Sequence, residues 1–81
     1  MANKESLQVW IIEALKANNG RAILLDICKF VWLYHEEDLR KSGDLFYTWQ
    51  YDIRWAATNL RESGKLKPAN QSPRGIWELA D

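Results

Sequence analysis

What this chain lacks narrows its reading first. It has a single cysteine, Cys28, so neither an internal disulfide nor a cysteine-based structural zinc site holds it together. Acidic and basic residues balance at eleven each, so no strong overall field draws it toward nucleic acid or an anionic surface. No apolar run approaches the ~20 residues that a membrane span needs, and no signal-peptide pattern opens the sequence. The expected compartment is therefore the cytoplasm. Two prolines and four glycines are too few for a linker or a low-complexity segment, so 1–81 is expected to be one domain. One histidine leaves little for catalysis or metal binding. His35-Glu36 begins like a zinc-protease motif, but Leu39 stands where the second histidine belongs. No G-x-x-x-x-G-K phosphate loop is present. Cys28 lies in an apolar stretch with Lys29 as its cationic neighbour, which fits a structural thiol better than a nucleophile. The chain reads as a non-enzyme without cofactor or metal.

What is present is apolar and aromatic. Hydrophobic residues make up 47% of the chain, and five of them are tryptophans. A domain this short buries a modest fraction of its surface. Tryptophans, each covering about 150–250 Å², can supply the missing burial.

The spacing of apolar residues predicts three helices. The first runs from about Ser6 to Ala17 after a frayed start over residues 1–4. Leu7, Ile11, Ala14 and Leu15 form its core stripe, Trp10 sits at the stripe's edge, and Asn18-Asn19-Gly20 ends it. Arg21-Ala22-Ile23 reads as a short strand. The second helix runs from about Leu24 to Asp38, with Leu24, Ile27, Phe30, Val31 and Tyr34 on its buried stripe. Leu25 and Trp32 point the other way, with Cys28 at the margin. Either the following loop covers them, or they form an apolar patch for a protein partner or a second copy. Residues 39–46, with Ser42-Gly43-Asp44, read as a connection.

The third helix is expected over about 48–63. Trp49, Ile53, Ala56, Ala57 and Leu60 share one face, which is assigned to the core. A neighbouring face carries Tyr47, Gln50, Arg54, Thr58 and Arg61. Trp55 lies nearly opposite the core stripe and is expected to be covered by the segment that follows. Ser63-Gly64 stops the helix. Lys65-Leu66-Lys67 and Gly75-Ile76-Trp77-Glu78-Leu79 alternate as half-buried strands do, and Pro68 to Arg74 is the turn between them. Only one of Ile76 and Trp77 can face the helices, and alternation alone leaves open which. Trp49, Trp55 and Trp77 are all expected to serve core packing rather than base stacking.

The fold class that emerges is mainly α with a small β-hairpin. Its order of helix, strand, helix, helix, strand, strand is that of a winged helix-turn-helix with a C-terminal wing. Charge is distributed to match. From Arg54 to Gly75 stand five cationic residues (Arg54, Arg61, Lys65, Lys67, Arg74) against one acidic residue, Glu62. His35-Glu36-Glu37-Asp38 is the acidic counterpart. A basic strip of this kind suits phosphate contact, and it equally suits a plain solvated face.

The run Ile53-Arg54-Trp55-Ala56-Ala57-Thr58-Asn59-Leu60-Arg61-Glu62-Ser63-Gly64-Lys65-Leu66, followed by Ser72-Pro73-Arg74-Gly75-Ile76-Trp77-Glu78-Leu79, resembles the N-terminal winged-helix domain of Mrr-type restriction endonucleases. The shared positions are Trp55-Ala56, Leu60, Gly64 and Arg74-Gly75-Ile76-Trp77. The front half, with a helix ending at Asn19-Gly20, is similar more loosely. The resemblance implies a module that contacts double-stranded DNA, in restriction and defence or in transcription control. Cleavage is not implied, because no Asp…Glu-x-Lys nuclease cluster is present.

The candidate DNA-contacting residues follow from side-chain chemistry. Gln50 and Arg54 are types that read adenine and guanine edges in a major groove. Tyr47, Thr58 and Arg61 suit phosphates. On the wing, Lys65, Lys67, Asn70, Gln71, Ser72 and Arg74 can reach the flanking backbone. The competing expectation is a protein-interaction or dimerisation module working through Leu25 and Trp32, since a fold does not by itself set a function.

Overall fold

A computed structural model describes residues 2–80. Its first helix, α1 (Lys4–Ala17), begins two residues earlier than the apolar spacing predicts. The cause is local. The Asn3 side chain accepts the Ser6 amide at 3.1 Å, and the Ser6 hydroxyl accepts the Asn3 amide at 3.1 Å. This reciprocal cap satisfies two amide donors that a helix start otherwise leaves open, so residues 3 and 4 are ordered rather than frayed. Asn19, at φ 61°, takes the left-handed turn that closes α1, and the Gly20 amide donates back to the Leu15 carbonyl at 2.7 Å.

Strand β1 (Arg21–Ile23) leads directly into α2 (Leu24–Arg40). Two expectations fail on α2. Tyr34 is 64% exposed rather than buried, because the inward stripe advances in steps of four through Ile27, Val31, His35 and Leu39. His35 leaves helical geometry (φ −129°, ψ 16°) and kinks the helix. Its ring turns inward, stacks on Trp10 at 4.2 Å and bonds Glu13 at 2.8 Å. The second correction concerns the end of α2. Leu39 is fully buried, so residues 39 and 40 belong to the helix rather than to the connection, and Arg40 bonds Glu36 one turn back at 2.8 Å.

Helix α3 spans Leu45–Glu62, starting three residues before the expected position. Leu45 is a core residue, which draws the first turn inward and shrinks the connection to 41–44. The predicted core face is confirmed: Trp49, Ile53, Ala56, Ala57 and Leu60 are all buried. Asp52 is buried beside them, its carboxylate accepting the Thr48 hydroxyl at 2.6 Å with Lys4 Nζ at 3.8 Å. Ala56 and Ala57 let α1 approach closely, and α1 and α3 form the most extensive helix pair. Gly64, at φ 83°, ends the helix in a Schellman turn. Its amide donates to the Arg61 carbonyl at 3.1 Å, and the Lys65 amide to the Leu60 carbonyl at 2.9 Å.

After a single 3-10 turn (Ala69–Gln71), strand β2 (Ile76–Glu78) pairs antiparallel with β1 in the register Arg21–Glu78, Ala22–Trp77, Ile23–Ile76. The wing expected as a self-contained hairpin is thus tied to the front of the chain. On its other edge, β2 meets the 65–67 segment through a Leu66–Leu79 bridge. There the Lys67 amide donates to the Glu78 carbonyl at 2.9 Å, and the Ala80 amide to the Lys65 carbonyl at 3.0 Å. The last strand is therefore central, with β1 on one side and residues 65–67 on the other. Leu66 enters the core at 1% exposure, and Trp77 is the member of the Ile76-Trp77 pair that packs against it. The fold is mainly helical with a small antiparallel sheet, built on one core formed by α1, α2, α3, Ala22 and Leu66.

Candidate nucleic-acid interface

The face of α3 turned away from α1 carries the candidate residues. At about 100° per residue, Tyr47, Arg54 and Thr58 fall within roughly 40° of one another, with Gln50 and Arg61 on one flank. Tyr47 is 82% exposed, and Gln50 and Arg54 are exposed beside it. Among the described residues, neither the Gln50 nor the Arg54 side chain has an internal hydrogen bond or ion pair. Their donors and acceptors point to solvent. Thr58 is half-buried, and its hydroxyl donates to the Arg54 carbonyl at 3.2 Å. From Tyr47 to Arg61 the face is about 21 Å long at 1.5 Å per residue. A helix of this kind fits a major groove about 12 Å wide.

Arg61 sits differently from the rest. Its guanidinium lies over the Trp77 ring at 5.7 Å, and its Nε is buried without a partner. It braces the wing against α3 rather than standing free. Lys67 is similarly engaged, 3.8 Å from the Glu78 carboxylate. Lys65, Asn70, Gln71 and Arg74 are exposed along the wing, and Ser72 is half-buried.

Two aromatics join this face that sequence reasoning did not place there. Trp55, expected to be covered by the wing, is 57% exposed. The wing is held at the sheet by β1 and by Leu66, so it leaves the outer side of α3 open. Tyr51, 63% exposed, meets Trp55 edge-to-face at 6.5 Å. The one available signal was their four-residue spacing, which stacks side chains on a helix surface.

Leu25 and Trp32 do come together, in a groove of about 740 Å³ between α2 and α3. Cys28, Leu33, Phe46 and Trp49 complete its apolar lining, with Lys29 and Gln50 at the edge. Burial pushes the Cys28 thiol above its ordinary range, and the nearby Arg54 guanidinium pulls the other way. Arg54 is not among the lining residues; its charge reaches Cys28 from the outer face of α3.

His35 stacks on Trp10 and bonds Glu13, while Glu36 pairs with Arg40, so these two neighbours in sequence are engaged with different partners. Among the described residues, no group of three histidine, cysteine or carboxylate side chains is placed to hold a metal ion, and no helix is long and apolar enough to cross a membrane. No family model, no curated protein and no solved structure matches this chain.

Proposed function

We propose that this chain is a winged-helix module that binds double-stranded DNA, with α3 in the major groove and the 65–79 wing beside it on the backbone. The observation that carries the reading is the pair Gln50 and Arg54. Both are exposed on the outward face of α3, and among the described residues neither side chain has an internal partner. Side chains of these types, one turn apart on a helix, make the bidentate contacts that distinguish adenine and guanine. Tyr47 and Tyr51 add hydroxyls suited to phosphate oxygens. Lys65 and Arg74 supply charge from the wing, neither with an acidic partner among the described residues. The placement of the last strand between β1 and residues 65–67 supports a winged-helix arrangement, since it sets the wing next to the end of α3.

A labelled-duplex titration followed by fluorescence anisotropy tests this reading. Binding is expected at low salt, and the double variant Arg54→Ala, Arg74→Ala should weaken it several-fold while leaving the circular dichroism spectrum unchanged. If no duplex binds at low salt, or if the double variant binds like the parent, the reading is wrong.

A further inference from the structure

Helix α2 carries two apolar stripes, and the core uses one of them. Ile27, Val31 and Leu39 face inward. Leu25, Cys28, Trp32 and Leu33 face the groove shared with Phe46 and Trp49 of α3. A helix that is apolar on more than one side is normally covered on more than one side. Here Leu25 is 57% exposed and Leu33 72% exposed. Their positions are 25, 28, 29, 32 and 33, the spacing at which one helix presents a ridge to another. At 1.5 Å per residue this ridge is about 12 Å long, which matches two turns of a guest helix.

The groove also has an electrical character. Among the described residues, no carboxylate lines it. Lys29 stands on one edge, and Arg54 is close enough to Cys28 to act on its thiol. Among the described residues, neither Lys29 nor Arg54 has an ion-pair partner. Arg40 lies over Trp32 at 5.3 Å and over Phe46 at 5.5 Å but is paired with Glu36 at 2.8 Å, so the far end is close to neutral and the positive character rests on Lys29 and Arg54. Trp32 is stacked parallel to Trp49 at 6.2 Å, so the floor is preorganised rather than loose. An apolar floor with cationic edges is complementary to an apolar ridge flanked by carboxylates.

We propose that the α2–α3 groove is a docking site for an amphipathic helix of a protein partner, apolar on the face it inserts and acidic along its flanks. The recognition mode is a helix laid in a groove. Leu25, Trp32 and Leu33 take the guest's apolar side chains, while Lys29 and Arg54 take its carboxylates. Because Gln50 and Arg54 also belong to the outward face of α3, a docked acidic helix occupies side chains that the DNA reading needs, and the two ligands compete. The docking proposal itself does not depend on DNA binding.

The test uses two synthetic helical peptides of about 18 residues, roughly 27 Å when helical. Both carry leucine at i, i+3, i+4 and i+7. One is flanked by glutamates, and the other has lysines at the same positions. Each is titrated into the isotope-labelled full chain and followed by NMR. The glutamate peptide should shift the signals of Leu25, Cys28, Leu33, Phe46 and Gln50 and bind roughly tenfold tighter than the lysine peptide, since several rim pairs change sign together. Lys29→Glu should reverse much of that preference, and Leu33→Asp should abolish binding. Both residues are exposed, so both variants should fold.

Equal affinity for the two peptides, shifts outside the groove, or no binding would overturn the proposal. Concentration-dependent shifts of the same residues with a dimer mass in sedimentation would overturn it in favour of a second copy. Duplex DNA shifting Leu25 and Leu33, rather than Tyr47 and Arg74, would overturn it in favour of nucleic acid. Tyr47 and Arg74 do not line the groove, so a failed peptide titration leaves the DNA reading intact.

Discussion

The salt dependence of duplex binding is a count of phosphate contacts, and the structure changes the count. Five cationic side chains stand between Arg54 and Gly75. Two are already committed. Arg61 is spread over Trp77 with its Nε buried, and Lys67 is paired with Glu78. Of the rest, Arg54 is assigned to base edges, which leaves Lys65 and Arg74 for phosphates. Each neutralised phosphate adds about −0.9 to the slope of log affinity against log salt, so two contacts give about −1.8 and five give about −4.5. Between 50 and 200 mM salt, that is a fall of about 12-fold for two contacts and about 500-fold for five. The two values separate easily in an anisotropy titration run at several salt concentrations.

Single substitutions sharpen the result. Arg74→Ala should flatten the slope by about 0.9, the loss of one contact. Arg61→Ala should leave the slope near its parent value and appear instead in stability, because it removes a cation–π contact worth about 0.5–2 kcal/mol. An essentially salt-independent affinity would refute the phosphate-contact reasoning. So would an Arg61→Ala variant that flattens the slope as much as Arg74→Ala does.

Three further outcomes follow from the packing and the chemistry of single residues. Leu66→Ala should cost about 2–5 kcal/mol in urea unfolding, the usual range for a fully buried leucine, against a total of about 4–12 kcal/mol at ~0.05–0.15 kcal/mol per residue. A loss well under that range would mean that Leu66 does not anchor the wing. At Gly64 an added Cβ meets nothing within 4 Å, so Gly64→Ala should cost about 1–2 kcal/mol for the left-handed backbone alone, and Gly64→Asn should cost less. Equal losses for alanine and asparagine would contradict a purely torsional origin. Because burial raises the pKa of Cys28 and Arg54 lowers it, the thiol should react with iodoacetamide more slowly than glutathione does at neutral pH. Removing the guanidinium raises the pKa further, so Arg54→Ala should slow the reaction again and move its pH–rate midpoint upward. A faster reaction in that variant would place Arg54 away from the groove.

The parts of this fold that were legible in sequence are those governed by one uninterrupted period. On α3, Trp49, Ile53, Ala56, Ala57 and Leu60 keep the helical spacing throughout, and all five are buried. On α2 the same reading misplaced Tyr34, because the stripe is redirected at His35 by a ring stack and a bond to α1. Those contacts lie 22 or more residues away along the chain, and no local pattern announces them. The helix boundaries near 39–46 failed for a related reason. Ser42, Gly43 and Asp44 signal a break correctly, but how far the helices run toward it is decided by the burial of Leu39 and Leu45.

The candidate face shows the same division. Tyr47, Gln50 and Arg54 were readable as an outward strip, since outward is simply the complement of the core stripe. The fate of Trp55 depended instead on where the wing goes, and tertiary pairing sets that. Residues 65–67 bridge to Leu79, β2 pairs with β1, and Leu66 is drawn into the core. A wing held to the sheet at both of its edges does not fold over the outer side of α3. Tyr51 and Trp55 therefore remain in solvent beside Arg54, and a face that reads in sequence as a polar strip is in the fold an amphipathic one. Exposed aromatic surface of this kind is characteristic of a binding face, so what the sequence reading missed about Trp55 strengthens the case that this side of α3 meets a ligand.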